Sequence, residues 1–326
     1  MGWLVPFSGR MSYCHIKCLK MILDYKKDLR PLPFLECVST SPFGFVYAFT
    51  DRGGFAVDGF NPHKCVGRAL DALGYQYDFR CFGSSRDALA FLKESLKEQP
   101  VIIGPIDLGF RTYDPMRRVK RGADHYIVGL GIEDSSLIAN DPDGYPLASF
   151  PLADLLKAWK ADLIDYRVGP YSMWIVKQKV RETNRYDLYV NPLRLGLQNL
   201  REKRTERFLK ATLYHGSEAI SRLALDVKQY RRTRWLRLYS NFSFQVSGQR
   251  CFDSASFIRE SPIKNEDMAA AFQTRIEQAK LYGEAQLYAA TKHFGRLSNV
   301  LLSIAADERQ LEVELGEGLF PSRQSH

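Results

Sequence analysis

The chain has 326 residues with a net charge of +9, and 45% of it is hydrophobic and 13% aromatic. That is enough for one large core or two ordinary domains, and the balance excludes a disordered or low-complexity chain. No stretch approaches the roughly 18 uninterrupted apolar residues of a membrane span, and "MGWLVPFSGR" at residues 1–10 lacks the basic start and long apolar run of a secretory signal. Six cysteines without framework spacing point to free thiols in a reducing compartment, so the expected location is cytoplasmic, with no membrane partner.

The first predicted element is "CHIKCLKMILDY", residues 14–25, a helix preceded by Ser12 as a plausible N-cap. At helical spacing Cys14, Cys18, Met21, Ile22 and Tyr25 form one stripe, widened by Ile16, Leu19 and Leu23, so most of the circumference is apolar and buried. Cys14 falls in the first turn, where the helix dipole favours a thiolate and a backbone N–H can serve an oxyanion. It also reads as a small core residue, and Cys18 reads more simply as core. His15 is adjacent but points about 100° away, which leaves it at most a supporting role. With no second Cys/His cluster at ligand spacing, no metal site is expected.

Strand-like runs follow at 100–106, 125–132, 136–141 and 172–178, punctuated by Gly, Pro and Asp. His125 opens the second of them and shares a face with Ile127, Gly129 and Gly131, while Tyr126, Val128, Leu130 and Ile132 face the other way. If 125–132 and 136–141 pair as a hairpin with an odd-length loop, Asp141 lies diagonally across from His125; an even loop separates them. Asp143 is a second acid within reach, and Asp141-Pro142-Asp143-Gly144 also reads as an ordinary turn. A cysteine nucleophile needs such a base, and the base an orienting group.

Beyond residue 180 the pattern is mostly helical, over 200–230 and 265–305, with Gly283 and Gly295 as possible breaks. The reading is therefore α+β, with domains at 1–180 and 181–326 joined across 179–198 near Asn191-Pro192, and a frayed tail from Gly316. Between Arg201 and Arg237 there are 11 Lys/Arg against 4 Asp/Glu, densest in "KQYRRTRWLR" with Lys228, Arg231, Arg232, Arg234 and Arg237. Such a face suits an acidic partner or is simply solvated. No nucleic-acid module or glycine-rich phosphate loop accompanies it, so nucleic acid is not the expected partner.

"YCHIKCLKMILDY" and "HYIVGLGIEDSSLIANDPDG" resemble the cysteine helix and histidine–aspartate hairpin of the papain-like peptidases that cleave double-glycine leaders. Ser8 stands where those peptidases usually carry an oxyanion glutamine. Nearly the whole chain resembles the butirosin biosynthesis protein H family: the Cys14-His15 pair, "FGFVY" at 43–47, "PVIIGPID" at 100–107, the tyrosine loop "RTYDP" at 111–115 and "QRCFDSASFIRE" at 249–260. The resemblance implies a papain-like N-terminal domain and a helical domain that docks a carrier protein. It implies acyl transfer from an acidic acyl carrier protein thioester to an amine of a small-molecule acceptor in natural-product biosynthesis. By position Cys14 would be the nucleophile, His125 the base and Asp141 its orienter, with Asp107 a recurrent acid. The phosphopantetheine arm would belong to the carrier, with no cofactor of the enzyme's own. Aromatic residues in 41–55 would wall the site or pack a core. A thioesterase or cyclase, a cysteine peptidase or amidase, and a non-catalytic scaffold are the alternatives.

Overall fold

The four strand-like runs of the sequence lie in one antiparallel sheet. The computed structural model describes residues 12–50, 53–59, 61–164, 166–202, 206–208 and 211–321. In chain order these form α1 (Cys14–Tyr25), α2 (Leu32–Val38), β1 (Phe45–Thr50), β2 (Gly53–Asp58), α3 (Pro62–Leu73), β3 (Tyr75–Arg80), α4 (Ser85–Glu98), β4 (Val101–Asp107), β5 (Asp124–Glu133), β6 (Ser136–Asp141), β7 (Tyr145–Pro151), α5 (Leu152–Lys160) and β8 (Met173–Lys179). There follow α6 (Arg185–Leu200), β9 (Glu206–Phe208), β10 (Ala211–His215), α7 (Gly216–Tyr230), α8 (Thr233–Leu238), a π-turn at Tyr239–Ser243, α9 (Phe244–Glu260), α10 (Glu266–Ala290) and α11 (Phe294–Leu319). No described helix is long and apolar enough to cross a membrane.

The larger sheet has the order β3-β8-β4-β5-β6-β7, and every pair is antiparallel. α1 packs on one face: Leu19, Ile22 and Leu23 share a core with Tyr126, Val128 and Trp174. α4 and α5 cover the other, where Leu92, Leu155 and Trp159 meet Ile103, Ile127 and Leu137. The burial of α1 is rotated from the expected stripe. His15, Ile16, Cys18, Leu19, Ile22 and Leu23 are inside, Tyr25 is 59% exposed and Cys14 lies half-buried at the margin. The N-cap is Tyr13, which gives no side-chain cap; Ser12 is not the cap.

Two residues, Asp134 and Ser135, connect β5 to β6, with Glu133 opposite Ser136. An even loop alone would put Asp141 on the side away from His125. The pairing instead shifts between Gly129 and Gly131, so that Val128 faces Asn140 and Leu130 becomes the extra residue of a bulge. A two-residue turn plus one bulged residue makes the odd count the hairpin needs. The same shift changes the faces beyond it. Ile132 pairs with Leu137 and packs with Ile127, not with Tyr126 and Val128, and Gly131 pairs with Ile138. The glycines admit no helix backbone: a Cβ on Gly129 would meet side chains of Ile103, Leu137 and Val101, and one on Gly131 would meet nothing.

The C-terminal half departs from its expected outline in four places. Residues 206–215, read as helix, supply β9 and β10, and β10 pairs with β1 in a second sheet of order β2-β1-β10-β9. Pro192 lies inside α6, not in a linker; Val190, Leu193 and Leu197 anchor that helix in the core strongly enough to carry the roughly 3 kcal/mol proline cost. Neither Gly283 nor Gly295 breaks a helix. The turn is at Thr291–His293, where Lys292 takes a positive φ of 59°. The helix α11 continues through Gly316 to Leu319. The core under α1 also includes Phe257, Leu311 and Leu315, so both halves of the chain build it. The aromatic residues of 41–55 mostly pack cores: Phe43, Phe45 and Tyr47 are buried, and Phe55 is 38% exposed.

Deleting Leu130 should leave a regular two-residue hairpin with Asp141 still on the side of His125, at a cost of about 1–2 kcal/mol for lost packing. Urea denaturation reads the cost, and the hydrogen-bonded ring N–H proton of His125 in NMR reads the geometry. A folded variant lacking that resonance would show that the bulge does more than set the count.

Candidate functional site

Cys14 is the first residue of α1, so its N–H has no intrahelical acceptor and points out of the helix start. Ahead of it the Tyr13 hydroxyl donates to Asp253 Oδ2 at 3.0 Å, and the Arg250 guanidinium sits 5.3 Å from the Tyr13 ring centroid. Arg250 in turn pairs with buried Glu36 at 2.7 Å. Burial, reinforced by the charge of Glu36, lifts the Asp253 carboxyl to about 7 against the bond from Tyr13 and the charge of Arg250. Thus α9, from the second half of the chain, seats the residue before Cys14.

His125 lies at the start of β5, 3% exposed, and the Cys14 side chain is close enough to favour the charged form of its ring. His125 Nε2 and Asp141 Oδ1 are 2.8 Å apart, which leaves Nδ1 as the ring nitrogen not engaged by Asp141. Asp141 is itself held from four directions. Oδ1 also accepts the Asp143 N–H at 2.8 Å, and Oδ2 accepts from Arg111 Nη1 at 2.8 Å and the Tyr113 hydroxyl at 2.7 Å. The Lys17 ammonium donates to Pro142 O at 3.3 Å, tying α1 to the same turn.

The electrostatics follow from these bonds. Burial would raise the Asp141 carboxyl, but His125, Arg111 and Tyr113 together hold it well below the usual carboxylate range. Burial also disfavours a charged ring at His125, yet Asp141 and Cys14 more than offset it and lift the imidazole to about 10. At neutral pH the site therefore holds an imidazolium between a carboxylate and a sulfur. A cation beside a thiol is the setting in which thiolate nucleophiles occur.

Arg111 was not singled out in the sequence. It is wholly buried and bonds Asp141, Asp143 at 3.0 Å and Asp114 at 2.5 Å; Lys120 adds a bond to Asp114 at 2.8 Å. Its only signal was its place in "RTYDP", because nothing in the spacing tells a buried guanidinium from a solvated one. The loop that carries it, 108–123, is closed by Asp107, whose Oδ1 accepts the N–H groups of Gly109 at 2.7 Å and Gly122 at 2.9 Å. Asp107 thus places the loop and does not itself enter the hydrogen bonds of Asp141. His125, Asp141 and Asp143 bring one ligand atom each within 4.8 Å of one another. Arg111 is already bonded to both carboxylates, so the charge that would attract a cation is taken up.

The remaining sequence candidates are placed apart. The His15 Nε2 lies 3.3 Å from Ser41 Oγ, its ring leans on Tyr126, and burial and then the Arg250 charge lower it to about 3. It is a neutral core residue. Ser8 lies outside the described residues. Lys228, Arg231, Arg232, Arg234 and Arg237 belong to α7, α8 and the turn between them, which pack a separate core with Tyr47, Leu223 and Tyr239. Arg231 and Arg232 lie over the rings of Phe294 and Tyr230.

Residues 210–316 match the family model of the YobF C-terminal domain. The chain is 26% identical over 316 residues to an uncharacterized protein, YobF, of Bacillus subtilis (strain 168), across 96% of this chain and 98% of that one. The similarity therefore spans the half that carries Cys14, His125 and Asp141 as well as the helical half.

Replacing Asp141 with Asn should keep the fold and bring the His125 titration down from about 10 toward the ordinary histidine value of 6.5. NMR of ring-labelled histidine reads the shift. Arg111→Met should cost about 3–5 kcal/mol in urea denaturation, since it strands buried carboxylates without their cation.

Proposed function

We propose that the protein is a cysteine-dependent acyltransferase that takes an acyl group from an acyl carrier protein thioester onto Cys14 and passes it to an amine or other nucleophile of a small molecule. The observation that carries the proposal is the buried His125, 2.8 Å from Asp141 through Nε2 and near enough to the Cys14 side chain for the two to act on each other's charge. A nucleophile at a helix start, facing a histidine at a strand start, is the arrangement of a papain-like thiol fold, which is the finer reading proposed for the N-terminal half. Six free cysteines suit the reducing cytoplasm as its place of action.

The sulfur attacks the thioester carbonyl, a C–S bond to Cys14 forms, and the bond to the carrier's arm breaks. The departing thiolate takes the proton of the His125 imidazolium. Exchange of one thioester for another is nearly isoenergetic, so the step needs little driving force. The neutral imidazole then accepts a proton from the attacking amine, the acyl group moves to nitrogen, and the Cys14 thiolate returns beside a reprotonated ring. Asp141 stays ionised throughout and holds the ring, as an orienting carboxylate does. The Cys14 N–H at the start of α1 is a donor for the tetrahedral oxyanion. Water reaching the acyl-enzyme would turn the same residues to hydrolysis.

Incubation with an acylated carrier protein should add the acyl mass to the intact protein, and Cys14→Ala should abolish the adduct. An adduct that survives that replacement would remove the mechanism. Turnover should fall by about 10²–10⁴ in Asp141→Asn. The His125 proton is retained up to about pH 10, so acylation should hold through neutral pH and decline as the pH rises through that value. Stopped-flow acylation rates across pH 6–11 check the direction.

A further inference from the structure

The basic run at 228–237 is the docking face that the sequence suggests, yet a second basic surface belongs to the loop that holds Asp141. The segment between β4 and β5 reads "DPMRRVKRGAD" over residues 114–124, and His125 follows it directly. Just ahead of it the buried Arg111 donates to both Asp141 and Asp114. The segment's outer end carries Arg117, Arg118, Lys120 and Arg121 in a short helical turn. Met116 and Val119 of the same turn are 58% and 78% exposed. Large apolar side chains held in water among arginines are what the rim and centre of a protein interface present.

The surface continues across a cleft lined by Phe110, Arg121, Lys157, Lys160, Leu163, Asp107 and Asp162. Leu163, 52% exposed, comes up against Gly122. The carboxylates there are committed: Asp162 pairs with Lys160 and Arg167, Asp154 with Lys157, and Asp107 with the Gly109 and Gly122 N–H groups. Arg118 and Arg121 have no carboxylate partner among the described residues, and the Arg121 guanidinium carbon lies over the Phe110 ring, 4.7 Å from its centroid. Among the described residues the Arg117 side chain donates to the backbone oxygen of Asp114, at 3.5 Å.

We infer that the 116–121 turn, with Leu163 and the cations of the adjoining cleft, is the docking surface for the acidic protein that delivers the acyl group. This rests on the proposed acyl transfer. Charge complementarity selects an acidic protein, and the apolar residues among the cations give it a surface to bury. The position selects the donor's carrier, because the segment runs straight into the strand that presents His125. A partner seated there meets the loop whose Arg111 and Tyr113 hold Asp141, whereas the 228–237 face packs a different core.

The test uses the full chain, an acetyl-loaded fatty-acid acyl carrier protein, and a small acetyl thioester of N-acetylcysteamine. Arg118→Glu with Arg121→Glu leaves Arg111, Asp114 and Lys120 in place. The wild type should bind the carrier in a salt-sensitive manner by calorimetry, and the double variant should bind about tenfold or more weakly. Its KM for the carrier-borne donor should rise in parallel, while acetylation of Cys14 by the small thioester stays within about twofold. Arg234→Glu with Arg237→Glu should change neither. Equal carrier binding by wild type and the 118/121 variant overturns the inference. So does loss of binding in the 234/237 variant, or a wild type that binds anionic phospholipid vesicles or nucleic acid but not the carrier. Failure of the small thioester to acetylate wild-type Cys14, with carrier binding intact and lost in the 118/121 variant, would instead refute the acyl-transfer chemistry and leave the docking surface standing.

Discussion

One carboxylate organises the site. Asp141 accepts from a ring nitrogen of β5, a backbone N–H of its own turn, and a guanidinium and a phenol of the 108–123 loop. A buried carboxylate this well supplied with donors stays ionised, and its fixed charge keeps the imidazole both oriented and protonated. Remove any donor and the others must hold a charge that burial works to neutralise. The geometry at Cys14 is thus set by a residue that does not touch it.

The second half of the chain takes part in this arrangement as well. The bond from Tyr13 to Asp253 and the pair of Arg250 with Glu36 place α9 behind the start of α1. Arg275 on α10 adds buried bonds to Ser254 and to the carbonyl of Pro42, just ahead of β1. Buried ionic contacts of this kind contribute little net stability but are sensitive to register. They define where the helix start lies relative to the sheet, which apolar packing alone would leave looser.

Much of this was legible in the residues. The strands of the large sheet stand out because apolar runs are cut by Gly, Pro and Asp, and a cysteine, a histidine and an aspartate each sit at the edge of such an element. The pairing of His125 with Asp141 was legible only as a condition, because parity depends on a bulge and Leu130 carries no local mark of being the extra residue. Arg111 was invisible for a different reason: its guanidinium is a core residue because Asp141 and Asp143, some thirty residues on, join the neighbouring Asp114 around it. Residues 211–215 look helical beside α7, yet the open edge of β1 captures them as a strand. Pro192 likewise reads as a linker until the packing around α6 is known. Tertiary contacts override local propensity in each case.

The ladder between β1 and β10 joins residues 46–49 to residues 212–215. During synthesis the first hairpin of that sheet leaves the ribosome long before its partner strand exists. Tyr13 waits longer still, until α9 has been made. A nascent or prematurely terminated chain can therefore carry the cysteine helix and the histidine hairpin without the contacts that seat them. The start of the cysteine helix is therefore seated only in polypeptides extended at least through α9.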